Sequence, residues 1–71
     1  MDGLHPLKID VERETDGRAL ASVPELPGVM AYGATEEEAV RNAKSVALQI
    51  LAAMIENGEE VPESLKVLFA A

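Results

Sequence analysis

Carboxylates are the side chains of this sequence that could carry chemistry, since it holds 13 Asp and Glu residues, one histidine and no cysteine. Hydrolysis by two metal ions needs several acids that converge on a pair of Mg²⁺ ions. Asp10, on a predicted strand, and Glu38, at a predicted helix start, could begin such a site. His5 has neither a nucleophile nor an orienting partner, and we interpret it as a surface residue. Glu38 is already used by the helix cap, and no third acid is placed to complete the site, so we expect no catalytic residue, no metal site and no cofactor.

The acidic run that follows Thr35 has a structural explanation. Thr35 and Glu38 have the spacing of a capping box, in which each side chain accepts a hydrogen bond from the helix start. The run 36–38 also places its carboxylates at the positive end of the helix dipole. A carboxylate metal cluster is the alternative, but capping and the dipole already explain the run.

The charge balance indicates which partners suit the chain. Six basic residues oppose 13 acidic ones, which gives a net charge of −7. This balance disfavours direct binding to nucleic acid, because phosphate contacts need clustered Lys and Arg. It suits a basic protein partner, which would be attracted over a long range. The alternative interpretation is that the charge only keeps a small protein soluble.

Chain length limits how stable one copy can be. A chain of 71 residues makes one domain, and a core of that size rarely supplies more than about 3–5 kcal/mol. Without disulfides, self-association is the remaining source of stability, so we expect a homo-oligomer, a dimer or larger. The longest apolar segment, residues 46–55, is too short to span a bilayer. The N-terminus has no secretory pattern, and we expect a cytoplasmic location.

Three strands are predicted in the first half of the chain. Residues 7–12 alternate between apolar and charged, as in a half-buried strand. Residues 14–17 end in Asp-Gly, which favours a hairpin turn into a second strand at 18–23. The proline-bracketed loop 24–28 ends that strand, because proline cannot donate within a sheet. A short third strand follows at 29–33.

A long helix follows Thr35 and should run to about Asn57, with Gly58 just past its end. Its core stripe has helical spacing and consists of Ala39, Ala43, Val46, Ala47, Ile50 and Met54. A second apolar line must be covered by the returning C-terminal segment, a second protomer or a partner protein. The residues that we expect in self-association are Leu48, Leu51, Ile55 and Phe69.

The C-terminal segment 65–71 is ambiguous, because Pro62 could start a short helix while the β-branched and aromatic content favours an edge strand. We favour the strand. The predicted fold is therefore α+β: a three-stranded antiparallel sheet packed on one long helix, with a closing strand in the order β-β-β-α-β.

Residues 16–44 contain short motifs that together carry a family resemblance. The loop 24–28 reads PELPG, residues 31–33 read AYG, and the helix start matches the pattern T-x-E-E-A through Thr35, Glu37, Glu38 and Ala39. These pieces, in this order, resemble the HicB antitoxin family over roughly residues 7–60. Each piece is weakly specific alone, and their order and spacing are more specific together.

The resemblance implies both a fold and a partner. Members have a reduced ribonuclease-H-like N-terminal domain that binds a HicA toxin. The toxin is a small basic ribonuclease that cleaves messenger RNA, and the antitoxin covers its active site. The alternative is an orphan HicB-like oligomerisation or binding module without a toxin. Many members continue into a DNA-binding domain, whereas this sequence stops at Ala71. We expect one HicB-like domain over residues 1–71, without that second domain.

A contact surface should lie on the exposed sheet face and the proline loop. Tyrosine and leucine can anchor a partner while acids pair with its basic groups. Tyr32 could instead cap the core beside the helix start. The residues that we expect to bind the partner are Asp10, Glu12, Leu20, Glu25, Leu26 and Tyr32.

Overall fold

The computed structural model describes residues 6–62, which form a three-stranded sheet with one long helix on one face. The strands are β1 (Asp10–Arg13), β2 (Ala19–Ser22) and β3 (Met30–Gly33), and the helix α1 is Glu36–Glu56. The sheet order is β1-β2-β3, and both pairings are antiparallel. The predicted α+β class, with an antiparallel three-stranded sheet and one long helix, is confirmed. The expected closing strand at 65–71 lies outside the described residues.

A tight turn at residues 14–17 joins β1 to β2. The Glu14 N–H donates to the carbonyl of Arg18 at 2.7 Å, and the Gly17 N–H donates to the carbonyl of Glu14 at 3.0 Å. Gly17 has a φ of 94°, a left-handed conformation that glycine adopts without the steric cost of a side chain. The Asp-Gly pair that predicts the hairpin therefore lies where the turn needs it.

β1 begins later than the alternation of residues 7–12 predicts. Leu7 and Ile9 precede the strand and pack, partly buried, against the core. Val11 pairs with Ala21 and so lies on the helix side of the sheet, but it remains exposed. The helix lies mainly over β3 and β2, and it therefore leaves the helix side of β1 incompletely covered.

The proline loop between β2 and β3 closes on itself and inserts one side chain into the core. The Val23 N–H donates to the carbonyl of Val29 at 3.1 Å, and the Leu26 N–H donates to the carbonyl of Val23 at 2.9 Å. Leu26 is only 2% exposed, whereas both prolines of the loop face solvent. Burial of the Leu26 side chain anchors the loop, because it removes a large apolar surface from water.

The predicted cap starts α1. Thr35 Oγ1 accepts a hydrogen bond from the Glu38 N–H at 3.0 Å. The Glu38 carboxylate accepts from the N–H of Ala34, one residue before the cap. Both side chains thus satisfy amides that have no partner within the helix.

Glycine ends the helix as predicted. Gly58 has a φ of 74°, its N–H donates to the carbonyl of Ile55 at 3.1 Å, and the Glu59 N–H donates to the carbonyl of Met54 at 2.9 Å. This pair of bonds is a Schellman motif. Within residues 6–62, no helix is both long and apolar enough to cross a membrane.

The core has two clusters that differ in side-chain size. One joins the sheet to the first half of α1 and consists entirely of alanines: Ala19, Ala21, Ala39 and Ala43. The other lies toward the end of α1 and holds larger side chains: Val23, Leu26, Val29, Ala47 and Leu51. At the alanine cluster the helix approaches the sheet so closely that a Cβ on Gly33 would overlap the backbone nitrogen of Ala39.

The helical spacing identifies most of the buried stripe. Ala39, Ala43 and Ala47 are buried. The other predicted members, Val46, Ile50 and Met54, are partly buried against the second cluster. Leu51 is expected on the second apolar line, but it is 5% exposed and lies in the core. It follows Ala47 by one helical turn and therefore faces the same side.

Candidate protein-binding surface

The face of the sheet that points away from α1 is built by the strand register. Residues directly opposite each other on neighbouring strands share a face. Glu12, Leu20 and Tyr32 form one row across the three strands, and a parallel row contains Ser22. We call the residues of these two rows the outer sheet face: Asp10, Glu12, Leu20, Ser22, Met30 and Tyr32.

The outer sheet face exposes large apolar side chains. Met30 is 57% exposed and Tyr32 is 45% exposed, while Leu20 between the two edge strands is partly buried. The carboxylates of Asp10 and Glu12 stand on β1, at one side of this apolar surface. A face of this kind can bury aromatic and aliphatic anchors against a partner while its acids pair with cations.

An arginine next to β2 holds the Tyr32 ring in place. The Arg18 guanidinium lies 4.2 Å from the centre of the Tyr32 ring, in a cation–π arrangement. Its Nε donates to Asp16 Oδ2 at 2.8 Å, and the Arg18 backbone N–H donates to Asp16 Oδ1 at 3.0 Å. The backbone hydrogen bond, followed by the guanidinium, lowers the pKa of the Asp16 carboxyl below its ordinary value. The hairpin turn thus orients a residue of the outer sheet face.

Four of the expected partner-binding residues lie together. Asp10, Glu12, Leu20 and Tyr32 all belong to the outer sheet face. The possibility that Tyr32 caps the core is not what the structure shows, since its ring lies on the side of the sheet opposite to α1.

The two expected residues of the proline loop lie elsewhere. Leu26 points into the core, so its side chain is not available to a partner. Glu25 is exposed, but it lines a groove with Met54 and Glu60 near the C-terminal end of α1. The structure therefore separates the loop from the outer sheet face.

Sequence reasoning missed two residues of this surface. Met30 lies two residues before Tyr32 on the same strand, and period-two alternation would have placed both on one face. Arg18 follows Asp16 by two residues, a spacing at which an aspartate side chain accepts from the backbone in a turn.

A second exposed apolar surface lies on α1, away from the sheet. Leu48 is 67% exposed and Ile55 is 53% exposed, and exposed Ala52 lies between them at helical spacing. We call Leu48, Ala52 and Ile55 the outer helix stripe. Two of the expected self-association residues thus lie on this stripe, Leu51 lies in the core, and Phe69 is outside the described residues.

The acids of the described chain do not assemble into a metal site. Among residues 6–62, no group of three or more His, Cys, Asp or Glu side chains could hold a metal ion. Asp10 lies on the outer sheet face, and its Oδ1 is 3.8 Å from Lys8 Nζ. Glu38 lies at the start of the helix on the opposite face and is engaged by the backbone of Ala34. The exposed apolar side chains and carboxylates of the outer sheet face offer a contact surface for a protein.

Comparison with known proteins agrees with the motifs around the proline loop and the helix cap. The family model described as HicB_like antitoxin of bacterial toxin-antitoxin system matches residues 6–69. No match was found among curated proteins or among solved structures. The match spans all three strands and the helix, and the chain belongs to the HicB-like antitoxin family of bacterial toxin–antitoxin systems.

Proposed function

We propose that this chain is a non-catalytic antitoxin that binds and blocks a HicA-like toxin, a small basic ribonuclease. The observation that carries the proposal is the outer sheet face, on which exposed Met30 and Tyr32 lie beside two carboxylates. The toxin contacts this face, and the antitoxin itself binds no RNA. Both proteins act in the cytoplasm, where messenger RNA is translated.

Electrostatics supports a basic partner. The net charge of −7 attracts a cationic protein at long range and speeds association at low salt. At close range, Glu12 lies in the same row as Leu20 and Tyr32. A cation of the toxin can therefore pair with Glu12 while an apolar side chain packs on the tyrosine ring. Such mixed surfaces combine affinity from the aromatic anchor with specificity from the charges.

The second candidate is an orphan HicB-like module that associates with itself or with other proteins but has no toxin. The exposed Leu48 and Ile55 of the outer helix stripe favour this candidate, because they offer a contact surface that does not depend on the sheet. The two candidates differ in one observable, which is inhibition of a ribonuclease by the purified chain.

The test co-expresses the chain with the small basic protein encoded by the neighbouring gene. We expect the pair to co-purify and the chain to stop RNA cleavage by the partner in a stoichiometric titration. Absence of any such nuclease from the gene neighbourhood and from a pull-down would refute the antitoxin role. Mg²⁺-dependent nuclease activity of the chain alone, abolished by Asp10→Asn, would refute the non-catalytic role.

Matched charge reversals locate the contact. Glu12→Lys reverses an acid on the outer sheet face, whereas Glu25→Lys makes the same change on the proline loop. Glu12→Lys should weaken toxin binding at least about tenfold, as removal of a hot-spot contact does, while Glu25→Lys should leave most of the affinity. Equal losses in both variants would mean that only the overall charge matters, and the outer sheet face would not be the site.

A further inference from the structure

Tyr32 lies on β3, an edge strand of the described sheet. Within residues 6–62, β3 pairs with β2 alone, and Leu20 is the residue directly opposite Tyr32. Asn42 Nδ2 on the helix donates to the Tyr32 carbonyl at 3.0 Å, which fixes the main chain but not the ring. An exposed side chain with neighbours on one side only ordinarily exchanges between rotamers. A contact beyond the strand pairing is therefore needed if the ring is to stay in one orientation.

Arg18, the residue before β2, supplies this contact. It precedes Leu20 by two residues and so lies on the same side of the sheet, as the diagonal neighbour of Tyr32. Its guanidinium lies 4.2 Å from the centre of the ring, well within the range of a cation–π contact. The arginine thus covers one face of the ring and restricts the rotamers that are open to it.

Asp16 in turn holds the arginine at two points. Its Oδ1 accepts from the Arg18 backbone N–H at 3.0 Å, and its Oδ2 accepts from Arg18 Nε at 2.8 Å. The hairpin turn that carries Asp16 is itself fixed from β1, because Arg13 donates to the carbonyl of Gly17 at 2.9 Å. The side chains of Asp16, Arg18 and Tyr32 all remain partly exposed. This series of contacts therefore exists in the free chain and lies within reach of a partner.

We propose that Arg18, held by Asp16, is a positioning residue that keeps the Tyr32 ring in one orientation as a preformed anchor for the toxin. This inference rests on the proposed function. Ordering a flexible side chain during binding typically lowers affinity by a factor of about two to ten, and here the ring is ordered before the toxin arrives. It follows that a cation on this acidic chain strengthens its binding to a basic protein.

Arg18→Ala distinguishes positioning from charge, because the two effects have opposite signs. The change makes the chain more negative, so electrostatics alone predicts tighter binding to a basic toxin. Loss of the contact with the Tyr32 ring predicts binding that is about two- to tenfold weaker. Arg41→Ala is the matched control, since it removes the same cation from an exposed position on the helix, away from the outer sheet face, and it should not weaken binding. Isothermal titration calorimetry of the toxin with each full chain measures the difference.

A double-mutant cycle tests whether Asp16 acts through Arg18. Asp16→Asn retains an acceptor for the Arg18 backbone N–H but loses the charge that holds the guanidinium. It should weaken toxin binding more than Glu14→Gln, which removes the same charge from the same turn. In the Arg18→Ala chain the two changes should have equal effects, because no guanidinium remains to be held. An Asp16→Asn effect that is as large without Arg18 as with it would overturn the proposal.

NMR of the free chain measures the order of the ring without any toxin. Tyr32 is the sole tyrosine and the chain has no tryptophan, so its ring signals are readily assigned. Side-chain protons of Arg18 should be shifted upfield by the ring current, and Tyr32 should keep one χ1 rotamer. Arg18→Ala should average the Tyr32 rotamers, and Asp16→Asn should reduce the shift of the Arg18 protons. Unchanged Tyr32 rotamers in Arg18→Ala would overturn the positioning role even where toxin binding weakens, since Arg18 would then contact the toxin itself.

The binding and NMR results together separate this inference from the proposed function. A parent chain that binds no toxin would refute both. A parent chain that binds the toxin, with an Arg18→Ala chain that binds it equally or more tightly, would overturn the positioning role and leave the antitoxin role intact. Weaker binding by Arg18→Ala, together with averaged Tyr32 rotamers, is the result that we expect.

Discussion

The two faces of the sheet reverse the usual distribution of side-chain size. The face that is buried under α1 carries Ala19, Ala21 and Gly33, whereas the outer sheet face carries Leu20, Met30 and Tyr32. Large apolar residues are ordinarily the ones that a fold buries. Here the buried side is made of small residues so that the helix can lie against the backbone of the sheet. The outer sheet face keeps large apolar groups that a partner can cover.

The contrast indicates that the inner face determines the stability of the domain, whereas the outer sheet face is free to bind a partner. Close packing on the inner face means that one added methyl group has no room, because protein interiors are about as dense as organic crystals. On the outer face, a side chain can change without disturbing any neighbour on the helix. Substitutions on the two faces should therefore differ in kind: inner ones should unfold the domain, and outer ones should spare it.

Gly33→Ala should produce the largest effect on stability. The new methyl group would meet the backbone of Ala39 rather than a flexible side chain, and we expect a loss of about 3 kcal/mol in the free energy of unfolding. Ala34→Ser adds one atom at the neighbouring exposed position and should change it by less than about 0.5 kcal/mol. Urea denaturation followed by circular dichroism measures both. A Gly33→Ala chain with an unchanged midpoint would show that helix and sheet are not this close.

Ala43→Val should have the next-largest effect, a loss of about 2 kcal/mol in the free energy of unfolding, because it overpacks the core. Ala43 is fully buried between α1 and the sheet, so the added methyl groups force neighbours to shift. Ala52→Val makes the same change on the exposed side of the same helix, where only the lower helix propensity of valine, about 0.5 kcal/mol, should remain. The difference between their thermal midpoints, measured on dilute protein, isolates the packing on the inner face. Equal losses would contradict the contrast between the two faces.

Thr35→Ala should cost about 1 kcal/mol, because the Glu38 N–H loses its side-chain acceptor at the start of the helix. Thr35 fixes where α1 begins, two residues after Gly33, and therefore supports the close approach on the inner face. Thr15→Ala, in the exposed hairpin turn, serves as the matched control and should be nearly neutral. Chemical denaturation compares the two threonines, and a Thr15→Ala loss as large as that of Thr35→Ala would count against the cap.

Changes on the outer sheet face should have a small effect on stability and, under the proposed function, should weaken toxin binding. Tyr32→Thr and Met30→Thr keep strong strand formers at exposed positions, and each should alter the free energy of unfolding by less than about 1 kcal/mol. Tyr32→Thr should nevertheless weaken toxin binding in a titration. A Tyr32→Thr chain that unfolds as readily as Gly33→Ala would show that the ring belongs to the core.

Acid titration should show the smallest effect. The folded-state pKa of Asp16 lies below its ordinary value of 3.8, since the Arg18 backbone N–H and guanidinium favour the carboxylate. The resulting stabilisation is present above the unfolded-state pKa and is lost as pH falls through the folded-state pKa. Carboxyl-carbon NMR should find the Asp16 midpoint below 3.8, and Arg18→Ala should raise it, because the guanidinium no longer favours the carboxylate. An Asp16 midpoint that does not move in Arg18→Ala would contradict this.

Local signals predicted the elements of this fold well, since each acts within a few residues. Asp16 and Gly17 predict the hairpin, Thr35 and Glu38 predict the start of the helix, and Gly58 predicts its end. The order of these signals also carries the family resemblance, which the match over residues 6–69 confirms. Steric limits of the backbone and the pairing of free amides cause these features, and neither depends on distant residues.

The sequence by itself thus determined the order of the elements, their capping and turn chemistry, and the family. For several apolar residues, only the tertiary structure decided whether they are buried. Leu26 and Leu51 lie in the core, whereas Val11 remains exposed beside the helix. Tyr32 and Met30 face outward, away from the helix. These outcomes depend on how α1 lies across the sheet, mainly over β2 and β3. Alternation and helical spacing say which residues share a side, and packing between distant elements decides which side is covered.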